Sequence, residues 1–120
     1  MRFLLAFVLF AHGVAHLVGM AGSWKLATFP DVPYQTSIVA GRIEVGDAGM
    51  RVVGALWLFA GLLFIVAAAG VATTMPWAFR LTGICIAFSL AMCVTGWPQA
   101  HIGLWLNLAL AAVMLVIASR

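Results

Sequence analysis

Apolar residues fill four long blocks of this chain, and the polar residues gather between them. The blocks run from Phe3 to about Met20, from about Met50 to Gly70, from near Pro76 to near Gly96, and from about His101 to Ala118. A bilayer core needs roughly 17–25 apolar residues in helical form. Strands of a membrane barrel would alternate apolar and polar residues over about ten positions. These blocks are apolar all round, so the pattern predicts helices. The predicted fold is all-α: one domain over residues 1–120, an integral membrane four-helix bundle with four transmembrane helices and a longer first loop over about 21–49.

The boundaries carry local signals. Asp47 precedes the second block and suits a cap on its amino end. Pro76 suits a first helical turn, where a missing N–H is harmless. Pro98 disfavours helix at Trp97 and ends the third block at Gly96-Trp97-Pro98. Trp24, Trp77 and Trp97 fall where amphipathic rings favour a membrane surface. The first block has a signal-peptide flavour, with Arg2 before it and Ala21-Gly22-Ser23 after it. It is longer than a usual signal core and contains His12 and His16, so it reads as a retained span.

The last two connections are short, which makes neighbouring helices antiparallel. In the long loop, Ser37-Ile38-Val39 and Arg42-Ile43-Glu44-Val45 read as a short β-hairpin around Ala40-Gly41. An irregular cap fits the same residues. A lone two-stranded hairpin is marginal in water, so this one must lie against the bundle end. An even number of spans puts both termini on one side. Arg2, Arg80 and Arg120 share that side, and Lys25, Arg42 and Arg51 share the other. The basic count is tied, so the positive-inside rule does not decide. The terminal arginines, and the gathering of every acid in the long loop, favour cytoplasmic termini.

Composition sharpens this picture. Of 120 residues, 66% are hydrophobic and 8% charged. An ordinary soluble domain is about 45–50% apolar and about 25% charged. Disorder is excluded, because it needs low hydrophobicity and high charge. A water-soluble globule is disfavoured, because six basic and three acidic residues cannot cover its surface. The six basic residues are scattered, which argues against a nucleic-acid partner.

Polar groups at membrane depth draw attention first, since a charge there costs about 2.5–3.5 kcal/mol on insertion scales. His12 and His16 lie four apart and share one helix face. Ala11, Ala15 and Gly19 follow the same spacing, and Gly13 adds another small residue. Such rows let helices approach closely, which predicts a central first helix with both histidines turned inward. The pair can bond to helix backbones, contact a quinone, lipid or similar apolar ligand, or bind a metal or haem. A metal site wants three or four ligands, and the only other histidine, His101, belongs to a membrane end. No metal centre is therefore assigned.

The third block carries Thr82, Cys85, Ser89 and Cys93 on one face. Cys85 and Cys93 stand two turns apart, about 12 Å, too far for a disulfide within one regular helix. In the fourth block Asn107 should face inward, because an unpaired amide in lipid is costly. It can clasp His12, His16 or Ser89, or face a ligand. Arg51 follows Asp47 by one turn. It joins either a surface ion-pair network or, drawn into the bundle mouth, an anionic headgroup. Arg80 suits snorkelling to the interface.

The string Ala11-His12-Gly13-Val14-Ala15-His16-Leu17-Val18-Gly19 resembles an HGxxHxxG element of small bacterial four-helix membrane proteins grouped as DoxX-like. Arg51 to Trp57 and Gly96-Trp97-Pro98 resemble recurrent pieces of the same group. The resemblance implies a four-helix bundle in the bacterial cytoplasmic membrane. For DoxX it implies quinone-linked oxidation beside a partner subunit, but no catalytic motif is matched here.

Three functions fit these residues. The first is a non-catalytic membrane subunit or scaffold that associates with itself or with a membrane protein partner. The second is a binder of a quinone, lipid or similar ligand, held by His12 and His16 with Ser89, Asn107 and Arg51 in support. The third is a small transporter acting as an oligomer.

Overall fold

A computed structural model describes residues 1–120. The chain forms α1 (Arg2–Ser23), β1 (Ser37–Ile38), β2 (Ile43–Glu44), α2 (Gly46–Ala72), α3 (Ala78–Thr95) and α4 (His101–Ala118). The architecture is all-helical apart from the short hairpin, and each of the four helices is long and apolar enough to cross a membrane. The molecule measures 45 × 23 × 22 Å, the proportions of a single elongated bundle. Only 27 of 120 residues are buried. Large apolar side chains such as Phe7, Phe59, Ile84 and Leu115 point outward.

Successive helices pack against one another, and the α1–α2 seam is the most extensive. No comparable seam joins α1 to α4. Glycine makes the first seam close. A Cβ built on Gly13 would stand 2.8 Å from the Gly61 carbonyl oxygen, and one on Gly61 would stand 2.8 Å from that of Gly13. This contact replaces the expected Ala11–Ala15–Gly19 row, of which Ala11 and Ala15 are exposed. Gly19 instead admits the Trp57 ring, 2.6 Å from where its Cβ would lie.

Two of the helices outrun the sequence boundaries. α1 continues to Ser23 and α2 begins at Gly46. The end of α1 is a Schellman turn, with Lys25 at φ 57° and the Leu26 N–H on the Ala21 carbonyl at 2.8 Å. α2 ends the same way, with Thr74 at φ 58° and the Met75 N–H on the Gly70 carbonyl at 2.8 Å.

Asp47 is not the cap of α2. It is the second residue of the helix, and Val45 occupies the cap position without a side-chain bond. The Glu44 carboxylate takes the Gly46 N–H at 3.0 Å, placing an anion at the positive helix end. Pro76 precedes α3, which starts at Ala78, instead of sitting in its first turn.

The hairpin exists but is shorter than the sequence pattern suggested. Ser37 pairs with Glu44 and Ile38 with Ile43. Val39 leaves the strand at φ 54° and Ala40 follows at φ 55°. A left-handed valine is unfavourable, and docking holds it. The Val39 N–H binds the Thr95 carbonyl at 3.0 Å, and the Ala40 N–H binds that of Trp97 at 3.1 Å. The hairpin tip is thus fastened to the end of α3.

Candidate functional site

Two apolar clusters fill the bundle. Leu9, Phe64, Ile86 and Leu110 belong to the larger cluster, and Met50, Val53, Trp57 and Met92 form the one nearer the long loop. Ser89 lies between Ile86 and Met92 on α3, and the two histidine rings touch an aromatic ring from each cluster. His16 lies 5.2 Å from Phe64 and 5.4 Å from Trp57, centroid to centroid. His12 packs edge-on against His16 at 4.6 Å and against Phe64 at 4.7 Å.

Polar groups from three helices meet there. The Ser89 hydroxyl stands 2.7 Å from His16 Nε2 and 3.5 Å from His12 Nε2. Asn107 Nδ2 donates to Ser89 Oγ at 2.7 Å and to the Gly103 carbonyl at 2.8 Å. His16 Nδ1 lies 2.8 Å from the His12 carbonyl. All four side chains are at most 3% exposed. The expected inward turn of both histidines and the clasp from Asn107 to Ser89 are therefore present as geometry. The α3 row Thr82, Cys85, Ser89 and Cys93 is buried as one face. Thr82 satisfies itself on the Ala78 carbonyl at 2.8 Å.

Proton positions follow from the partners for neutral rings. A carbonyl only accepts, so His16 Nδ1 carries the proton and Nε2 is a lone pair. The Ser89 O–H must then donate to His16 Nε2. Asn107 is fixed too, because its nitrogen alone can meet both Ser89 and the Gly103 carbonyl. Its oxygen Oδ1 is buried without a partner.

Beside this network is a cavity of about 380 Å³. His12, His16 and Trp57 contribute to its wall, with Ile102, Gly103 and Leu106 of α4 opposite. Residues of the long loop, among them Tyr34 and Ile38, roof it. The cavity occupies the gap left by the missing α1–α4 seam. Val18 and Ile102 edge it and are 38% and 71% exposed. The volume falls within the roughly 300–1,000 Å³ of small-molecule pockets.

Arg51 is not drawn into this site. Its side chain is exposed and outside the cavity wall, and its backbone carbonyl accepts the Trp24 indole N–H at 2.9 Å. The expected pairing with Asp47 is also absent. Asp47 pairs with Lys25 at 3.4 Å and accepts a hydrogen bond from the Tyr34 hydroxyl. A carboxylate already engaged by a cation and a phenol has little left for Arg51. Ser89 and Asn107 stand behind the cavity wall instead of lining it. His101 is exposed and bonds locally to the Pro98 carbonyl at 3.0 Å. No three His, Cys, Asp or Glu side chains converge.

Trp57, Tyr34 and Gly103 are wall residues that sequence reasoning did not single out. A tryptophan inside an apolar block gives no sign that it faces a gap. Gly103 carries no sequence signal beyond its four-residue spacing from Asn107. No protein family, curated protein or solved structure matches this chain.

Proposed function

We propose that this is a multi-pass membrane protein that binds a small amphiphilic molecule between α1 and α4. The observation that carries this reading is a cavity of about 380 Å³ whose wall joins two buried histidines to apolar side chains such as Trp57, Ile102 and Leu106, with polar residues such as Gln35, Ser37 and Gln99 also in its lining. Polar groups at such depth are costly unless they serve each other or a ligand. The helix exteriors support the membrane setting, since exposed Phe, Leu and Ile side chains of this density suit lipid.

The ligand is a quinone, a lipid or a similar apolar molecule with a compact polar head. Its tail lies towards Val18 and Ile102, and its head towards His12. A pure scaffold has no use for the cavity, which is why the binding reading takes precedence over association alone. Kinship with the DoxX-like group, residence in the bacterial cytoplasmic membrane and cytoplasmic termini belong to the same proposal. They rest on the α1 string and on the placement of charges.

Native mass spectrometry of protein released from mild detergent tests the reading. The expected result is a retained small molecule in wild type that is lost from a His12→Gln/His16→Gln double variant of unchanged helicity. Equal retention by both proteins, or no retained molecule from lipid-replete membranes, would overturn it.

A further inference from the structure

We infer that the head group taken up beside His12 is a hydroxyl that donates a hydrogen bond to His12 Nδ1. This rests on the binding reading above and narrows it to one ligand chemistry.

The argument is an account of donors and acceptors. Ser89 has one proton, and His16 Nε2 receives it at 2.7 Å. His16 cannot supply a proton at that atom, because its own lies on Nδ1, bonded to the His12 carbonyl at 2.8 Å. Ser89 Oγ therefore meets every other neighbour as an acceptor. Asn107 donates to it at 2.7 Å. His12 Nε2 approaches it at 3.5 Å and can bond only as N–H. A neutral imidazole with its proton on Nε2 presents a bare lone pair on Nδ1.

That lone pair has no protein partner. It is not sealed away either, since Asn107 Oδ1 is the one side-chain nitrogen or oxygen that is buried without a bond. His12 itself is 3% exposed and forms part of the cavity wall. Both unanswered atoms of the cluster, His12 Nδ1 and Asn107 Oδ1, are acceptors. The Trp57 indole N–H, also of the cavity wall, makes no bond within the protein. A group that both donates and accepts answers His12 and leaves lone pairs for an indole. A hydroxyl does this. A carbonyl or an ether has no proton to give, and a bare acceptor facing either one leaves a buried polar atom unsatisfied.

The test compares para-octylphenol with its methyl ether, which share the ring and tail and differ in the donated proton. Each is titrated onto purified protein in detergent and scored by native mass spectrometry. Wild type should bind the phenol about tenfold more tightly than the ether, the worth of one buried hydrogen bond. His12→Leu should remove that preference, and His12→Gln, which restores an acceptor oxygen, should recover part of it. If His12→Leu fails to fold, the wild-type ratio and His12→Gln still decide. Ether binding equal to or tighter than phenol would overturn this inference while leaving the binding reading intact. Binding of neither probe would overturn both.

Discussion

Gly13 on α1 and Gly61 on α2 meet backbone to backbone, each occupying the space that a side chain on the other would need. This contact fixes the distance between the two helices that carry the histidines and the Trp57 and Phe64 rings. Lipid tails are as apolar as leucine, so helices in a bilayer gain nothing from burying leucine against leucine. Close van der Waals approach and interhelical hydrogen bonds must supply the attraction.

Gly61→Ala should therefore destabilise the bundle. The new Cβ would stand 2.8 Å from a backbone oxygen that cannot rotate away, with the His16 Cβ and Leu17 Cδ2 both at 3.4 Å. Overpacking of this kind costs about 1–3 kcal/mol. Gly83 is the control, because nothing lies within 4 Å of its would-be Cβ. Gly83→Ala should stabilise α3 by about 0.5–1 kcal/mol through backbone entropy alone. Unfolding in mixed detergent micelles measures both. If the two variants unfold alike, the tight α1–α2 contact is not a determinant of stability.

A second prediction concerns Ser89, whose single oxygen is shared by three side chains. Ser89→Ala leaves His16 Nε2 without its donor and frees one proton of Asn107 in a dry site. The expected loss is about 1–3 kcal/mol. Hydrogen bonds between membrane helices average nearer about 0.6 kcal/mol, but here two bonds of 2.7 Å fail together. Adding Asn107→Leu to Ser89→Ala should cost less than the two single losses combined, since the groups form one network. Strict additivity in a double-mutant cycle would refute the shared hub.

Much of this architecture was legible because hydrophobic length is a strong signal. The α4 boundaries match the apolar block outright, and the inward turn of His12, His16 and Asn107 followed from the cost of bare polar groups in lipid. What escaped was chemistry without a sequence mark. α1 and α2 end on left-handed Lys25 and Thr74 where glycine would ordinarily signal the turn, so both stops were invisible. By residue type Asp47 is the better cap than Glu44, yet Glu44 takes the Gly46 N–H. Gly46 turns the chain so that Glu44 reaches the helix end and Asp47 faces Lys25 and Tyr34. By charge and sequence neighbourhood Arg51 reads as a partner of Asp47, but Lys25 and Tyr34 of the long loop engage that carboxylate instead. The cavity itself is a gap between α1 and α4, and a gap has no residues of its own to read.

Tyr34 offers a direct probe of the loop that roofs the cavity, because it is the only tyrosine in the chain. Its hydrogen bond to Asp47, together with partial desolvation and the same carboxylate's charge, raises its pKa above the ordinary phenol value. The proton is therefore held more firmly in the folded loop than in the unfolded chain. The stabilising contribution is complete below the unfolded tyrosine pKa and is lost as pH rises through the folded one. Ultraviolet titration of the phenolate should show late ionisation, and Asp47→Asn should bring it earlier. An unchanged titration in Asp47→Asn would mean that the Tyr34–Asp47 contact does not hold the loop in solution.

The last prediction addresses how a ligand reaches His12. Ala15 is exposed and lines the cavity, whereas Ala11, one turn earlier on α1, is exposed and lies outside it. Both positions have room for a larger side chain on the outer surface of α1, and tryptophan is tolerated in a membrane helix near lipid. Ala15→Trp places its ring at the mouth between α1 and α4, where Val18 and Ile102 form the edges. Ala11→Trp adds the same bulk and the same surface to lipid without approaching that mouth. Ala15→Trp should therefore lose the co-purifying molecule and the phenol preference, and Ala11→Trp should keep both, at matched helicity and unfolding midpoint. Entry through the loop side predicts that both variants keep the molecule, because the roof formed by Tyr34 and Ile38 is untouched in each. Retention by Ala15→Trp at the wild-type level would exclude the lateral route and place the entrance under the hairpin.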